Sequence, residues 1–344
     1  MRKVNRTIRC AVLGLGRLGY WHAENLAFKV KEAELVTVID PLGGRAEQVA
    51  RELGVENWSQ NPDDAFNDDT IDAVIIVTPT STHAEMILRA AENKKHIFVE
   101  KPITQELSDA DKVINEVKNN NVTCQVGFMR RFDPAYEEAK RRIEAGDIGT
   151  PLYFKGVSRD GNVPHEEFIK HSGGIFIDVA IHDYDIARYL IGKEVTSVRS
   201  TGSILLESNF FMEKYNDVDQ GLTYLTFEGG AAGDIETMRV APYAYDIRGE
   251  VVGTEGAIQI GSTRNTDVKL FTKNGGLYDL IQDFPSRFKD AYLLEMIHFI
   301  KCLQKSEAPL CTEIDGKAAL EIADAARRSF KSGEVIQLRK QIVI

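Results

Sequence analysis

The chain has 344 residues, of which 43% are hydrophobic and 27% are charged, the balance of a water-soluble globular protein. Its formal net charge of −10 and its pI of about 5.3 argue against binding to nucleic acid or to an anionic membrane surface. The length suffices for one large domain or for two ordinary ones.

The N-terminal segment lacks the features of a secretion signal. Basic residues precede an apolar stretch over residues 10–18, but Gly14 and Gly16 interrupt it and no small-residue cleavage site follows. No apolar run reaches the roughly 18–20 residues that span a bilayer. The four cysteines form no CxxC pair and fit a reducing compartment. We therefore expect a cytoplasmic protein without disulfides.

The first third of the chain alternates strand and helix signals. Short Val/Ile-rich runs without polar alternation indicate strands that are buried on both faces, as in a parallel sheet. These runs cover residues 8–14, 34–40, 72–78, 96–102 and 122–128. Amphipathic helical patterns lie between them at residues 46–54, 82–94 and 107–120. This βαβ alternation predicts a doubly wound α/β domain over residues 1–127.

The pattern changes near residue 128, after which strand signals dominate. A helical pattern over residues 134–146 comes first. Strands are then predicted at about 151–160, 195–206, 221–228, 231–240, 246–260 and 267–272. Two amphipathic helices near 290–304 and 315–331 close the chain. Because short turns join successive strands, we predict a second α/β domain over residues 128–344 with a mostly antiparallel sheet.

A glycine pattern follows the first predicted strand and opens the next helix. GLGRLG places Gly14, Gly16 and Gly19, with Arg17 and Leu18 before the last glycine, in the order G-x-G-x-x-G. The first glycine permits a tight turn, the second lets a pyrophosphate approach the backbone, and the third lets helix and strand pack closely. Free N–H groups and the helix dipole attract the phosphates. A glycine-rich turn without a ligand is the alternative.

An acidic residue at the end of the second predicted strand indicates the cofactor. Asp40 lies 21 residues after Gly19. A carboxylate at this position accepts hydrogen bonds from the adenosine ribose and repels a 2′-phosphate, so we predict NAD rather than NADP. Arg45 is close enough in sequence to soften this preference. The alternative is an aspartate that only caps the turn before Pro41.

Glu100 and Lys101, in VEKP, come at the end of another predicted parallel strand. Open α/β sheets bind ligands at the carboxyl ends of their strands. A desolvated lysine ammonium at this edge can polarise a hydroxyl group. A solvated surface lysine is the alternative interpretation.

A histidine flanked by aspartates lies in SGGIFIDVAIHDYDIARYL. Asp178, His182 and Asp185 have the spacing i, i+4 and i+7, which predicts one shared helix face. An imidazole beside a carboxylate has the composition of a general base that acts near neutral pH. The alternatives are a structural His–Asp pair and a metal site formed by the three side chains. Because no second His/Asp cluster is visible and nicotinamide chemistry needs no metal, we predict no metal.

Together these motifs resemble the glucose–fructose oxidoreductase/inositol dehydrogenase/MocA (Gfo/Idh/MocA) family over nearly the whole chain. The shared marks are GLGRLG, TPTSTHAE (Thr78–Glu85), EKP (Glu100–Pro102) and GGIFIDVAIHDYD (Gly173–Asp185). VGFMRRFDPAY (Val126–Tyr136) is most similar to the inositol 2-dehydrogenases of that family. The resemblance implies an NAD-binding Rossmann domain, an α/β domain whose open sheet carries substrate binding and subunit contacts, and a homo-oligomer, either a tetramer or a dimer.

The resemblance also implies roles by position. Lys101 would orient the reacting hydroxyl and lower its pKa, His182 would take its proton, and Asp178 would bind a neighbouring hydroxyl. Further substrate contacts are implied for Met129, Arg130, Asp160 and a tyrosine of PYAYD, Tyr243 or Tyr245. Cofactor contacts are implied for Thr78, Pro79, His83, Glu100 and Lys101.

The reaction that the resemblance implies is the NAD-dependent oxidation of a ring hydroxyl of myo- or scyllo-inositol to the inosose. A dehydrogenase of another sugar or sugar acid is one alternative, because the same three residues serve many polyols. A non-catalytic NAD-binding regulator is another, since fold alone does not determine function. Such a sensor has no need for Lys101, Asp178 and His182 together.

Overall fold

The computed structural model of the chain describes residues 6–338. The chain folds into two compact units. The first unit contains the residues up to Phe132 together with Asp290–Lys317, and the second contains Asp133–Lys289 and the residues from Ala318 onward. No helix among residues 6–338 is long and apolar enough to cross a membrane.

A six-stranded sheet forms the centre of the first unit. Its strands are β1 (Ile8–Leu13), β2 (Ala33–Ile39), β3 (Asn57–Ser59), β4 (Ala73–Ile76), β5 (His96–Glu100) and β6 (Cys124–Gly127). Their spatial order is β3-β2-β1-β4-β5-β6, and every neighbouring pair is parallel. In this doubly wound order the chain reverses direction across the sheet between β1 and β4. The predicted Rossmann fold is confirmed.

Helices connect the strands of the first unit. They are α1 (Arg17–Phe28), α2 (Gly43–Leu53), α3 (Asp63–Phe66), α4 (Thr80–Glu92) and α5 (Leu107–Asn120). A 3₁₀ turn over Met129–Phe132 follows β6. Val12, Val38 and Ile75 of the sheet have no solvent exposure, as expected for strands whose two faces are both covered.

The second unit contains a seven-stranded mixed sheet and a separate hairpin. In chain order the strands are β7 (Pro151–Arg159), β8 (Val195–Ser203), β9 (Gln220–Phe227), β10 (Ala232–Met238), β11 (Asp246–Gly253), β12 (Ala257–Ile260), the hairpin strands β13 (Leu270–Thr272) and β14 (Gly275–Leu277), and β15 (Ile336–Gln337). The sheet has the order β12-β11-β7-β10-β9-β8-β15. Only the β7–β10 pair is parallel among these neighbours. The prediction of a mostly antiparallel sheet is therefore confirmed.

Of the remaining helices, α6 to α9 belong to the second unit, α10 begins in the second unit and ends in the first, and α11 begins in the first and ends in the second. They are α6 (Pro134–Glu144), α7 (Glu166–Ser172), α8 (Ile175–Asp178), α9 (Ile181–Ile191), α10 (Phe284–Lys305) and α11 (Glu313–Ser332). The predicted strand over residues 246–260 is in fact the pair β11 and β12, joined by a short turn. The three residues between the two strands, 254–256, form this turn, a length typical of β-hairpin connections.

The division into compact units differs from the expected boundary after residue 127. Asp290–Lys317, which the sequence analysis placed in the second domain, belongs to the first unit. The reason is packing: Met296, Phe299 and Ile300 of α10 are buried in the same hydrophobic core as Phe98 of β5. An amphipathic helix shows that it has an apolar face but does not show which core covers that face.

Candidate active site

The glycine loop joins β1 to α1 and is shaped by close backbone contacts. Gly14 has a φ of +88°, which L side chains rarely adopt. A Cβ on Gly19 would collide with the Gly14 carbonyl oxygen, so only glycine permits this approach of helix and strand. Around Gly16, by contrast, no heavy atom of the described residues lies within 4 Å of an added Cβ. The open space at Gly16, next to the first N–H groups of α1, fits a bound pyrophosphate.

Asp40 follows β2, and two backbone N–H groups donate to its carboxylate. Leu15 N donates to Oδ2 at 2.8 Å, and Leu42 N donates to Oδ1 at 2.9 Å. The aspartate therefore ties the glycine loop to the turn after β2. Each carboxylate oxygen has further lone pairs, so these contacts leave capacity for ribose hydroxyls. Arg45 Nε donates to Leu15 O at 2.8 Å, which places its guanidinium beside the same loop.

His83 connects the loops that follow β4 and β5. Its Nδ1 lies 2.8 Å from Pro102 O, and its Nε2 lies 2.9 Å from Thr78 O. Burial lowers the pKa of His83, which favours the neutral ring. Only 1% of this residue is exposed, whereas Thr78 is half-buried and Pro79 is exposed at the start of α4. His83 therefore braces the loop that carries Thr78 and Pro79 rather than offering surface to a ligand.

Glu100 and Lys101 lie at the carboxyl end of β5, as predicted. Glu100 is buried, and His22 Nε2 donates a hydrogen bond to its Oε1 at 2.8 Å. Lys101 is partly exposed. Met129 and Arg130 follow the neighbouring strand β6 at the same edge of the sheet, but both are buried, with 3% and 2% exposure.

Asp178 and His182 lie on different helices, so the prediction of one continuous helix is wrong. Asp178 ends α8, His182 is in the first turn of α9, and Val179–Ala180 form a turn between them. Asp178 and His182 are both partly exposed, whereas Asp185 is fully buried and does not share their exposed side. β-branched residues around the break lower the helix propensity that a continuous helix would need.

Two residues that the sequence analysis did not identify hold α8 at its ends. Asp217 Oδ1 accepts the N–H of Ile175 at 2.7 Å, at the start of the helix. Arg239 Nη2 donates to Asp178 Oδ2 at 3.1 Å, at its end. Arg239 is 1% exposed, and a buried guanidinium needs an anionic partner. The only sequence signal for this contact was a single arginine near the end of a predicted strand, in MRV.

Asp160 lies in the loop after β7 and is joined to the loop after β10. Its backbone N–H donates to Met238 O at 2.7 Å, and its own carbonyl accepts the N–H of Ala241 at 3.0 Å. Asp160 is half-buried. These backbone bonds hold Asp160 and the PYAYD segment close together within the second unit.

The two candidate tyrosines of PYAYD have different surroundings. The Tyr243 hydroxyl accepts a hydrogen bond from Arg159 Nη1 at 2.8 Å and donates one to Asp246 Oδ2 at 2.6 Å. Burial and the adjacent Asp246 carboxylate raise the pKa of Tyr243, so this hydroxyl stays protonated. The ring of Tyr245 packs edge-on against Phe288, with centroids 6.3 Å apart.

Two family models match the chain. Residues 8–128 match the Gfo/Idh/MocA model described as an oxidoreductase family with an NAD-binding Rossmann fold. Residues 140–338 match the model of its C-terminal alpha/beta domain.

Alignments with known proteins cover nearly the whole length of this chain. It is 58% identical to scyllo-inositol 2-dehydrogenase (NAD(+)) of Bacillus subtilis over 331 residues, 96% of each chain. It is 38% identical to myo-inositol 2-dehydrogenase of Thermotoga maritima, over 97% of this chain and 100% of the relative. The crystal structure of scyllo-inositol dehydrogenase from Lactobacillus casei with bound NAD(H) and scyllo-inositol superposes with a TM-score of 0.91 at 30% identity, over 96% of this chain and 99% of that one.

Proposed function

Because this chain belongs to the Gfo/Idh/MocA oxidoreductase family and is an NAD-dependent enzyme, we propose that it oxidises a ring hydroxyl of an inositol to the inosose. The observation that carries the proposal is the 58% identity to a scyllo-inositol 2-dehydrogenase over 96% of the chain. We take scyllo-inositol as the first substrate and myo-inositol as the second. We assign NAD binding to residues 1–127 and substrate binding to residues 128–344.

The proposed mechanism gives a separate task to each catalytic side chain. Lys101, at the carboxyl edge of the parallel sheet, orients the reacting hydroxyl, and its ammonium stabilises the alkoxide charge that develops there. His182 accepts the hydroxyl proton as general base. Asp178, which Arg239 holds at 3.1 Å, binds a neighbouring hydroxyl. NAD, when bound, supplies the acceptor for the hydride that leaves the same carbon, so that a ketone remains.

A substrate panel tests this function. We expect kcat/KM for scyllo-inositol or myo-inositol to exceed that for glucose and xylose at least about tenfold. A site whose polar groups match the hydroxyls of inositol binds a different sugar less well, because some of those polar groups then stay unpaired. The measurement is NADH absorbance at equal substrate concentrations, with the Lys101→Ala variant as the control for contaminating activity. A preference for glucose or xylose would make the protein a dehydrogenase of another sugar. Absence of turnover with every polyol would favour a non-catalytic regulator.

Asp40→Ala should shift cofactor use toward NADP. Loss of the carboxylate removes both the repulsion of a 2′-phosphate and the acceptor for ribose hydroxyls, so the NADP/NAD ratio of kcat/KM should rise by about tenfold or more. The NAD value itself should also fall, because the N–H of Leu15 loses its acceptor. Asp40→Asn is the matched control, since its amide oxygen can still accept one backbone N–H. An unchanged ratio would mean that Asp40 serves the turn alone.

We further propose a cytoplasmic homo-oligomer, either a tetramer or a dimer. In support, Cys10, Cys124, Cys302 and Cys311 carry free thiols, which fits a reducing compartment. Leu222 and Tyr224 of β9 are exposed on the face of the sheet opposite its buried residues, where a second subunit would cover them.

A further inference from the structure

Three ionisable side chains meet in the interior of the first unit. They are His22 on α1, Glu100 at the end of β5 and Glu295 on α10, and one ligand-type atom of each lies within 4.8 Å of the other two. His22 and Glu295 have no solvent exposure, and Glu100 has 6%. The cluster therefore joins the helix that opens from the glycine loop, the strand that ends before Lys101, and a C-terminal helix.

The hydrogen bonds of the cluster show which of its polar atoms have a partner and which do not. His22 Nε2 donates to Glu100 Oε1 at 2.8 Å, so this ring nitrogen and this carboxylate oxygen are paired. Among the described residues, neither carboxylate oxygen of Glu295 has a hydrogen-bond partner, and His22 Nδ1 has none either. An ionised carboxylate in this position would be buried without compensation, which costs far more than burying the neutral acid.

Burial, and secondly the charge of Glu100, raise the pKa of Glu295 well above its ordinary value. Among residues 6–338, Glu100 from β5 and His22 from α1 place ligand-type atoms within 4.8 Å of its carboxylate, and the ring of Tyr292 lies 5.9 Å from the His22 ring. From β6, Gln125 Nε2 donates to the Glu295 backbone carbonyl at 3.1 Å. A protonated Glu295 therefore presents an O–H donor toward an imidazole and a carboxylate.

Packing leaves the Glu100 carboxylate and the His22 ring little freedom. A Cβ on Gly127 would lie 3.0 Å from Glu100 Oε1, so β6 closes one side of the carboxylate. The imidazole lies between two aromatic rings, with centroid distances of 5.1 Å to Phe98 and 5.9 Å to Tyr292. Side chains whose rotamers are fixed by packing in this way can hold neighbouring residues in a defined position.

We propose that His22, through its hydrogen bond to Glu100, and Glu295, as a neutral acid within 4.8 Å of both side chains, are positioning residues that keep the Glu100 carboxylate in one place and so fix the strand end from which Lys101 extends. Glu100 and Lys101 are consecutive, so anchoring the side chain of the first restricts the backbone of the second. The proposal rests on the proposed role of Lys101 in inositol oxidation. Neither His22 nor Glu295 touches the substrate. A metal ion bound by the same three side chains is the competing explanation.

The protonation of Glu295 is tested without any assay of activity. Glu295→Gln has the shape and neutrality of the protonated acid but does not titrate. In the wild-type protein, the unfolded chain loses this proton near the ordinary pKa of 4.5, whereas the folded protein keeps it. Stability from this group is thus fully present below that pH and is lost as the pH rises toward the folded pKa.

Chemical unfolding of both proteins between about pH 5 and 8 measures this difference. The folded-to-unfolded ratio of the wild type should fall relative to Glu295→Gln, by up to about tenfold per pH unit. Parallel pH curves would overturn the protonated state of Glu295.

Kinetics of paired variants test the positioning role. Glu295→Gln and His22→Gln keep a neutral polar group and should retain kcat within about threefold. Glu295→Leu and His22→Leu should lower kcat for inositol by on the order of 10–100-fold, the usual effect of supporting residues, with a smaller change in the inositol KM. Circular dichroism at the assay temperature confirms that each variant compared is folded. Unchanged kcat in the leucine variants, or equal losses in the glutamine and leucine variants, would overturn the proposal.

A metal titration separates the two explanations of the cluster. Protein dialysed against a chelator and then titrated with ZnCl₂ should show no cluster-dependent rise in Tm. A zinc-dependent rise in the wild type that Glu295→Gln and His22→Leu abolish would assign the cluster to a metal. If the wild type oxidises no inositol, the proposed function fails, while the pH and zinc experiments still decide the state of the cluster.

Discussion

Lys101→Ala should lower kcat for inositol oxidation by about 10²–10⁴-fold, the range expected for loss of a group that stabilises charge or moves a proton. The ammonium is the cation that follows β5 at the ligand-binding edge of the parallel sheet, and alanine leaves the developing alkoxide without it. NAD affinity, measured by fluorescence titration, should change little, because the glycine loop and Asp40 carry most of the cofactor contacts in our proposal.

Two controls make the Lys101 prediction specific. Lys101→Arg keeps the positive charge but replaces a compact ammonium with a planar guanidinium, so it should restore only a small part of the activity. Added primary amines should partly rescue Lys101→Ala and leave the wild type unaffected. Wild-type turnover in Lys101→Ala would remove this residue from the mechanism.

His182→Ala should lower kcat by a similar factor of about 10²–10⁴, because no group remains to accept the hydroxyl proton. In the wild type, kcat/KM should rise with pH as the imidazole loses its proton, and this rise should disappear in the variant. His182→Gln is the matched control, since it preserves hydrogen bonding without basicity. A variant that retained full turnover or the same pH dependence would exclude His182 as the base.

The double variant Lys101→Ala/His182→Ala tests whether the two residues act on the same hydroxyl. If both act in one transition state, the combined loss in kcat should be smaller than the product of the two single losses. Strictly multiplicative losses would indicate independent roles.

Local patterns were sufficient to predict most of the secondary structure. The unalternating apolar runs in the first third correspond to β1, β2, β4, β5 and β6. A strand that is covered on both faces is apolar along its whole length, so its own residues are enough to predict it. The glycine motif was predicted equally well, since its requirements are steric and lie within six residues. The resemblance to a family supplied the assignment of Lys101, Asp178 and His182.

The sequence-based prediction was wrong where the same local pattern was compatible with two different structures. The spacing of Asp178 and His182 fits one helix, yet the chain breaks between α8 and α9. An i, i+4 relation on one helix holds only if the helical hydrogen bonds continue without interruption, and residue spacing cannot show such an interruption. The packing of Asp290–Lys317 in the first compact unit was likewise not visible in the sequence, because an amphipathic face does not identify its partner core.

The sequence by itself determined the Rossmann fold, the position of the glycine loop between β1 and α1, and the chemical types of the candidate catalytic residues. Each of these depends on residues close together in the chain. Only the tertiary structure decided which partners the buried side chains find: Asp178 for Arg239, 61 residues away, and Glu100 for His22, 78 residues away. The physical reason is that a buried charged or polar side chain requires a partner, but the sequence around it does not indicate where along the chain that partner lies.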